Sequence, residues 1–114
     1  LNSSDLIQSA ERVVQKTIAA LPLQIRKAMR DVPVLIERAP SPLDIAAGIE
    51  PDTLGYFDES IEGMPKIRLW VDCINEIAKN DLMVFEKEVQ TTLLHEIGHL
   101  LGWNENDLEA RGLE

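Results

Sequence analysis

From Asp5 to Ala20 the apolar residues Leu6, Ala10, Val13, Val14 and Ile18 return every three or four positions, the spacing of one helix face. Ser4 or Asp5 supplies a capping side chain ahead of it. Pro22 suits the first position of a second helix, Leu23 to Met29, where its missing N–H costs nothing. Val34-Leu35-Ile36 follows Pro33 as an apolar run of strand length. Residues 39–53, carrying Pro40, Pro42 and Pro51, read as a surface loop with one helical turn at Leu43 to Ala47.

Leu54 to Phe57 is the next predicted strand, and a turn through Asp58 to Pro65, containing Gly63, leads to Lys66 through Val71. That last segment alternates polar and apolar residues, as a half-buried strand does, so the two predict a hairpin. Ile74 to Lys79 reads as a short helical turn. Asp81 then caps a long helix through Val89, Leu93, Leu94, Ile97, Leu100 and Leu101, which Gly102 ends. A short acidic helix from Asn104 to Leu113 completes the chain. The order of elements predicts one α+β domain over residues 1–114, with N-terminal helices and a three- to four-stranded sheet packed on the long helix.

Composition narrows the function. Eleven basic residues against twenty acidic ones give a formal charge of -9, which repels phosphate backbones and argues against a nucleic-acid partner. No run reaches the ~20 apolar residues of a membrane span. The single cysteine, Cys73, excludes an intramolecular disulfide. Charges fall too early in LNSSDLIQSAERVVQK for a secretory h-region, and the expected location is cytoplasmic.

The chemistry gathers on the long helix. His95-Glu96-Ile97-Gly98-His99 is the H-E-x-x-H pattern, and both histidines of the chain fall within it. Residues four apart share a helix face, so the two imidazoles can reach one zinc ion. Glu96 stands about 100° around the helix from His95, placed to flank a metal-activated water as general base. An acid inside the apolar stretch LLHEIGHLL is otherwise an odd choice. Six residues beyond His99 comes Glu105, and Gly102 between them accepts the left-handed turn that brings the chain back. Glu105 is therefore the expected third ligand of a His-His-Glu site, with Asp107 and Glu109 as neighbouring alternatives.

These residues resemble the small bacterial zincin-like metallopeptidases, or minimal zincins, whose pattern is His-Glu-x-x-His-x-x-Gly-x-x-Asp. The resemblance covers Leu54-Gly55-Tyr56-Phe57, the Lys66–Val71 strand, and Glu88 to Gly102 followed by Glu105. It implies a compact α+β zincin core and zinc held by His95, His99 and the acid at 105. The departure is Glu105 where the family pattern has Asp. The expected activity is zinc-dependent hydrolysis of peptide bonds in a peptide or protein, with a partner protein supplying specificity that so small a chain lacks. An extended substrate is expected to pair along Lys66–Val71 as an edge strand. Tyr56 and Arg111 are the available oxyanion donors. Two rival readings remain: a zinc-bearing interaction module with little turnover, and another metal-dependent amide hydrolase using Cys73 as a ligand.

Overall fold

The computed structural model describes residues 1–59 and 64–110, without the side chains of Glu105, Leu108 and Glu109. Helix α1 spans Ser3–Ala19, and its cap is Asn2, whose side chain accepts from the Asp5 N–H at 2.8 Å. Asn2 therefore does what Ser4 or Asp5 was expected to do, one turn earlier. Helix α2 covers Leu23–Met29, with Pro22 at the N-cap rather than inside the first turn. Strand β1 is Val34–Glu37, α3 is Pro42–Ala46, β2 is Gly55–Asp58 and β3 is Lys66–Trp70. Helix α4, Val71–Ala78, starts directly from β3 and is longer than the single turn expected. Helix α5 runs Leu82–Leu100, and α6 runs Glu105–Ala110. Gly63 and Gly112 lie outside the described residues.

Among the described residues the three strands form one mixed sheet in the order β1-β3-β2. β1 pairs with β3 in parallel, Val34 opposite Ile67, and β2 pairs with it antiparallel, Gly55 opposite Leu69. This corrects the edge-strand expectation. β3 is the central strand with both ladders used, because β1 also claims it, and β2 is the edge strand that follows the loop. The antiparallel partner of Trp70 is Leu54, whose carbonyl accepts the Trp70 N–H at 2.9 Å. Alternation along the ladder then turns the backbone N–H and C=O groups of Gly55 and Phe57 to the open edge.

The core lies between the sheet and the helices. Ile67 and Leu69 of β3 meet Phe85, Val89, Leu93 and Ile97 of α5, with Leu6 and Ala10 of α1 and Ile74 of α4 behind them. α5 thus touches the sheet on one side and α1 and α4 on the other. That double contact is why its buried positions spread beyond one narrow stripe. Ser9 of α1 donates to Glu86 of α5 at 2.9 Å, a polar tie between the two helices. No helix among the described residues is long and apolar enough to cross a membrane.

The opposite face of the sheet holds a charged group. Arg68 gives Asp44 two hydrogen bonds, at 2.8 and 2.7 Å, and gives one oxygen of Glu37 two more, at 3.0 and 2.9 Å. Its guanidinium carbon sits 4.9 Å from the Trp70 ring centre, and the Trp70 indole donates to the same Glu37 oxygen at 3.1 Å. The Arg68 bonds hold the Asp44 carboxyl far below the usual carboxylate range, with the Ser41 N–H adding to the effect. Asp44 also closes a capping box with Ser41 at the start of α3, so one side chain fixes a loop helix and locks it to the sheet.

Candidate metal centre

α5 places the histidines. Asp81 accepts from the Val84 N–H at 3.2 Å to start it, and after nineteen helical residues Leu101 caps it. His95 and His99 are half-buried near its C-terminal end. Their Nε2 atoms stand 3.0 Å apart, with ring centres 4.6 Å apart and ring planes at 81°. Two nitrogens each ~2.0–2.1 Å from one tetrahedral zinc ion are separated by roughly 3.3 Å. The pair therefore already has the spacing of a chelate, and its donor chemistry fits zinc.

Beyond His99 the helix stops as the glycine predicted. Gly102 has φ +82, its N–H bonds to the His99 carbonyl at 2.9 Å, and the Trp103 N–H bonds to the Gly98 carbonyl at 2.9 Å. This doubly bonded left-handed turn redirects the chain into α6. Asn104 and Asp107 exchange side-chain-to-backbone hydrogen bonds at 3.0 and 2.9 Å, a reciprocal cap that starts the new helix. Glu105 opens α6 in its first turn, and its side chain lies outside the described residues, as does that of Glu109. Arg111, the second oxyanion candidate, also lies outside them.

Among the described residues no three of the His, Cys, Asp and Glu side chains converge on one point. Asp107, engaged with Asn104, is not brought to the histidines. Nor is Cys73, whose thiol donates to the Pro51 carbonyl at 3.4 Å and is pushed up by burial and the nearby Asp72, the reverse of what a thiolate ligand needs. Glu96 forms no such group with the two histidines among the described residues.

Glu96 is 7% exposed and opens into a cleft of about 300 Å³ between α5 and the sheet. Leu54 and Gly55 form the sheet wall, and Glu88, Thr91, Thr92, His95 and Glu96 form the helix wall. Glu88, Thr92, Glu96 and His99 are spaced by three or four residues, so one helix stripe carries the cleft and leads to the histidine pair. Gly55 sets its width. A Cβ there would stand 2.7 Å from the Thr92 methyl and 3.2 Å from the Arg68 carbonyl oxygen, closer than packed carbon atoms approach. Tyr56, one residue on, faces the other side of the sheet by strand alternation and is 42% exposed there. It is removed from the oxyanion role.

The cleft residues Leu54, Gly55, Glu88 and Thr92 were not singled out from the sequence. Two signals were present: a glycine inside a strand, which marks close backbone approach, and an acid seven residues before His95 on the same helix stripe.

A helix-borne His-Glu-x-x-His beside a small mixed sheet, with the chain reversed by a glycine, defines a zincin-type α+β protein. A family profile described as zincin-like metallopeptidase matches residues 29–113, about three quarters of the chain. The chain belongs to that family. The match starts well before Leu54, so β1 and the α3 loop are part of the shared unit, and most of α1 and α2 precede it. No curated protein matches the chain.

Proposed function

We propose that this protein is a zinc-dependent peptidase in which His95 and His99 hold the ion, Glu105 completes its protein ligands, and Glu96 is the general base. The observation that carries the reading is the 3.0 Å approach of the two Nε2 atoms next to a carboxylate buried in a cleft. Membership of the zincin-like metallopeptidase family supports it. Zinc, when bound, supplies Lewis acidity that polarises a peptide carbonyl and makes water acidic enough to lose a proton near neutral pH. His95 and His99 offer neutral nitrogen lone pairs from one helix face. The Glu96 carboxylate takes a proton from the attacking water and delivers it to the leaving amine nitrogen. The open edge of β2, with the backbone groups of Gly55 and Phe57, gives an extended substrate a strand to pair with above Glu96.

The deciding measurement pairs metal analysis with cleavage of a peptide pool, for the wild type and Glu96→Gln together. One zinc per chain in both, with cleavage by the wild type alone, supports the assignment. One zinc in both and no cleavage in either sinks the peptidase reading in favour of a zinc-bearing interaction module. Zinc that persists in both His95→Ala and His99→Ala sinks the ligand assignment.

A further inference from the structure

The cleft beside Glu96 ends at a second carboxylate that the peptidase mechanism does not use. Glu88 is half-buried in the cleft wall and makes no hydrogen bond or ion pair with any described residue. A carboxylate at the end of an apolar wall offers a bound cation a charge-assisted hydrogen bond. Along α5 it lies seven residues before His95, roughly 10 Å at 1.5 Å rise per residue. That is about three residues of extended chain. Between the two ends the wall is mostly apolar, with Leu54 on the sheet side and the Thr92 methyl close against Gly55. A floor of carbon atoms with a carboxylate at its far end matches one kind of side chain, an aliphatic stem that ends in a positive charge.

We propose that Glu88 is a specificity-determining residue, and that the cleft selects peptides carrying a lysine or arginine on one side of the scissile bond. The proposal rests on the peptidase reading for its biological sense, but the cleft's selectivity is a binding property and is measured without turnover. The net charge of -9 attracts any cationic peptide, so the test must separate the cleft from the bulk field.

The test uses the zinc-loaded Glu96→Gln chain and fluorescein-labelled alanine hexapeptides in which one position is arginine, lysine, norleucine or glutamate, scanned along the peptide. Fluorescence polarisation reads affinity. At one position arginine and lysine are expected to bind about five- to tenfold more tightly than norleucine, the range of a partly desolvated ion pair, and glutamate most weakly. Adding Glu88→Gln should bring arginine down to the norleucine level, and Glu88→Arg should invert the order of arginine and glutamate. The control Glu11→Gln removes an equal charge from the exposed face of α1 and should leave the preference intact. Thermal melts confirm that each variant is folded. Arginine and norleucine binding alike, a preference that survives Glu88→Gln, equal loss in Glu11→Gln, or no measurable binding of any peptide overturns the proposal. A preference that follows the charge at 88, in a protein whose wild type shows no cleavage, supports this proposal while the peptidase reading fails.

Discussion

On the outer face of the sheet, Arg68, Asp44, Glu37 and Trp70 answer one another's hydrogen-bonding groups at 2.7–3.1 Å. On the inner face and its helix, His95 and His99 point the same kind of nitrogen at each other, and Glu88 meets no partner among the described residues. In the first group Asp44 is pulled far down and Arg68 pushed up by their mutual bonds. Yet its bonds are spent within the fold, and it faces away from the cleft. The second group borders the cleft that the proposed function uses. On that reading the strongly shifted Asp44–Arg68 pair is structural, and chemistry is marked instead by like groups converging on a cleft.

The comparison is broken most forcefully at Glu96. Glu96→Gln keeps the size of the side chain and removes the proton acceptor. On the proposed mechanism cleavage falls by about 10²–10⁴-fold, while zinc stoichiometry and melting temperature hold. Steady-state kinetics beside metal analysis reads both. Cleavage within about threefold of wild type would remove Glu96 from the mechanism.

Arg68→Ala is the matching test of the outer face. It leaves Asp44, which is 13% exposed, with Ser41 as its remaining partner, and strips the cation from the Trp70 ring. The expected loss is roughly 2–4 kcal/mol in urea unfolding, with zinc stoichiometry unchanged in the folded fraction. A drop in zinc affinity without loss of stability would show that the two faces are coupled and the contrast false.

Gly55 links the two faces, because β2 borders the cleft on one side and the Arg68 ladder on the other. Gly55→Ala places a carbon 2.7 Å from the Thr92 methyl and should cost about 1–3 kcal/mol. The double variant Gly55→Ala, Thr92→Ser removes that methyl and should recover a good part of the loss. Additive effects in the cycle would mean that strand and helix do not press on each other there.

Much of this was legible in the sequence, and the reasons differ by element. The 3.6-residue pattern located α1 and α5, the left-handed glycine ended α5, and H-E-x-x-H put two imidazoles on one face. Each is a local rule that needs no knowledge of the partner element. The central place of β3 was not legible, because strand order depends on β1 returning in parallel across a loop that alternation in Lys66–Val71 does not encode. Tyr56 was an oxyanion candidate until the register put Gly55 against Thr92, which turned its neighbour to the other face. Glu37 and Asp44 lie 31 and 24 residues before Arg68 in the chain, no local pattern links them, and only the fold brings them together.

The smallest effect belongs to pH and sharpens the same contrast. The Asp44 carboxyl is held below its unfolded value of about 3.9, so the folded chain binds fewer protons than the unfolded one as pH falls through that value. Its contribution to stability is complete above about pH 5, and is lost progressively as pH drops below 4 toward the depressed folded value. The loss is smaller than that of Arg68→Ala, since Glu37 still faces the guanidinium when Asp44 is protonated. Asp44→Asn should therefore lower stability at pH 7 and flatten the fall between pH 5 and 2, as read by urea midpoints across that range. A wild-type profile as flat as that of Asp44→Asn would mean that the Arg68 bonds form no more strongly to the charged carboxylate than to the acid. The outer face would then have lost the feature that separates it from the cleft.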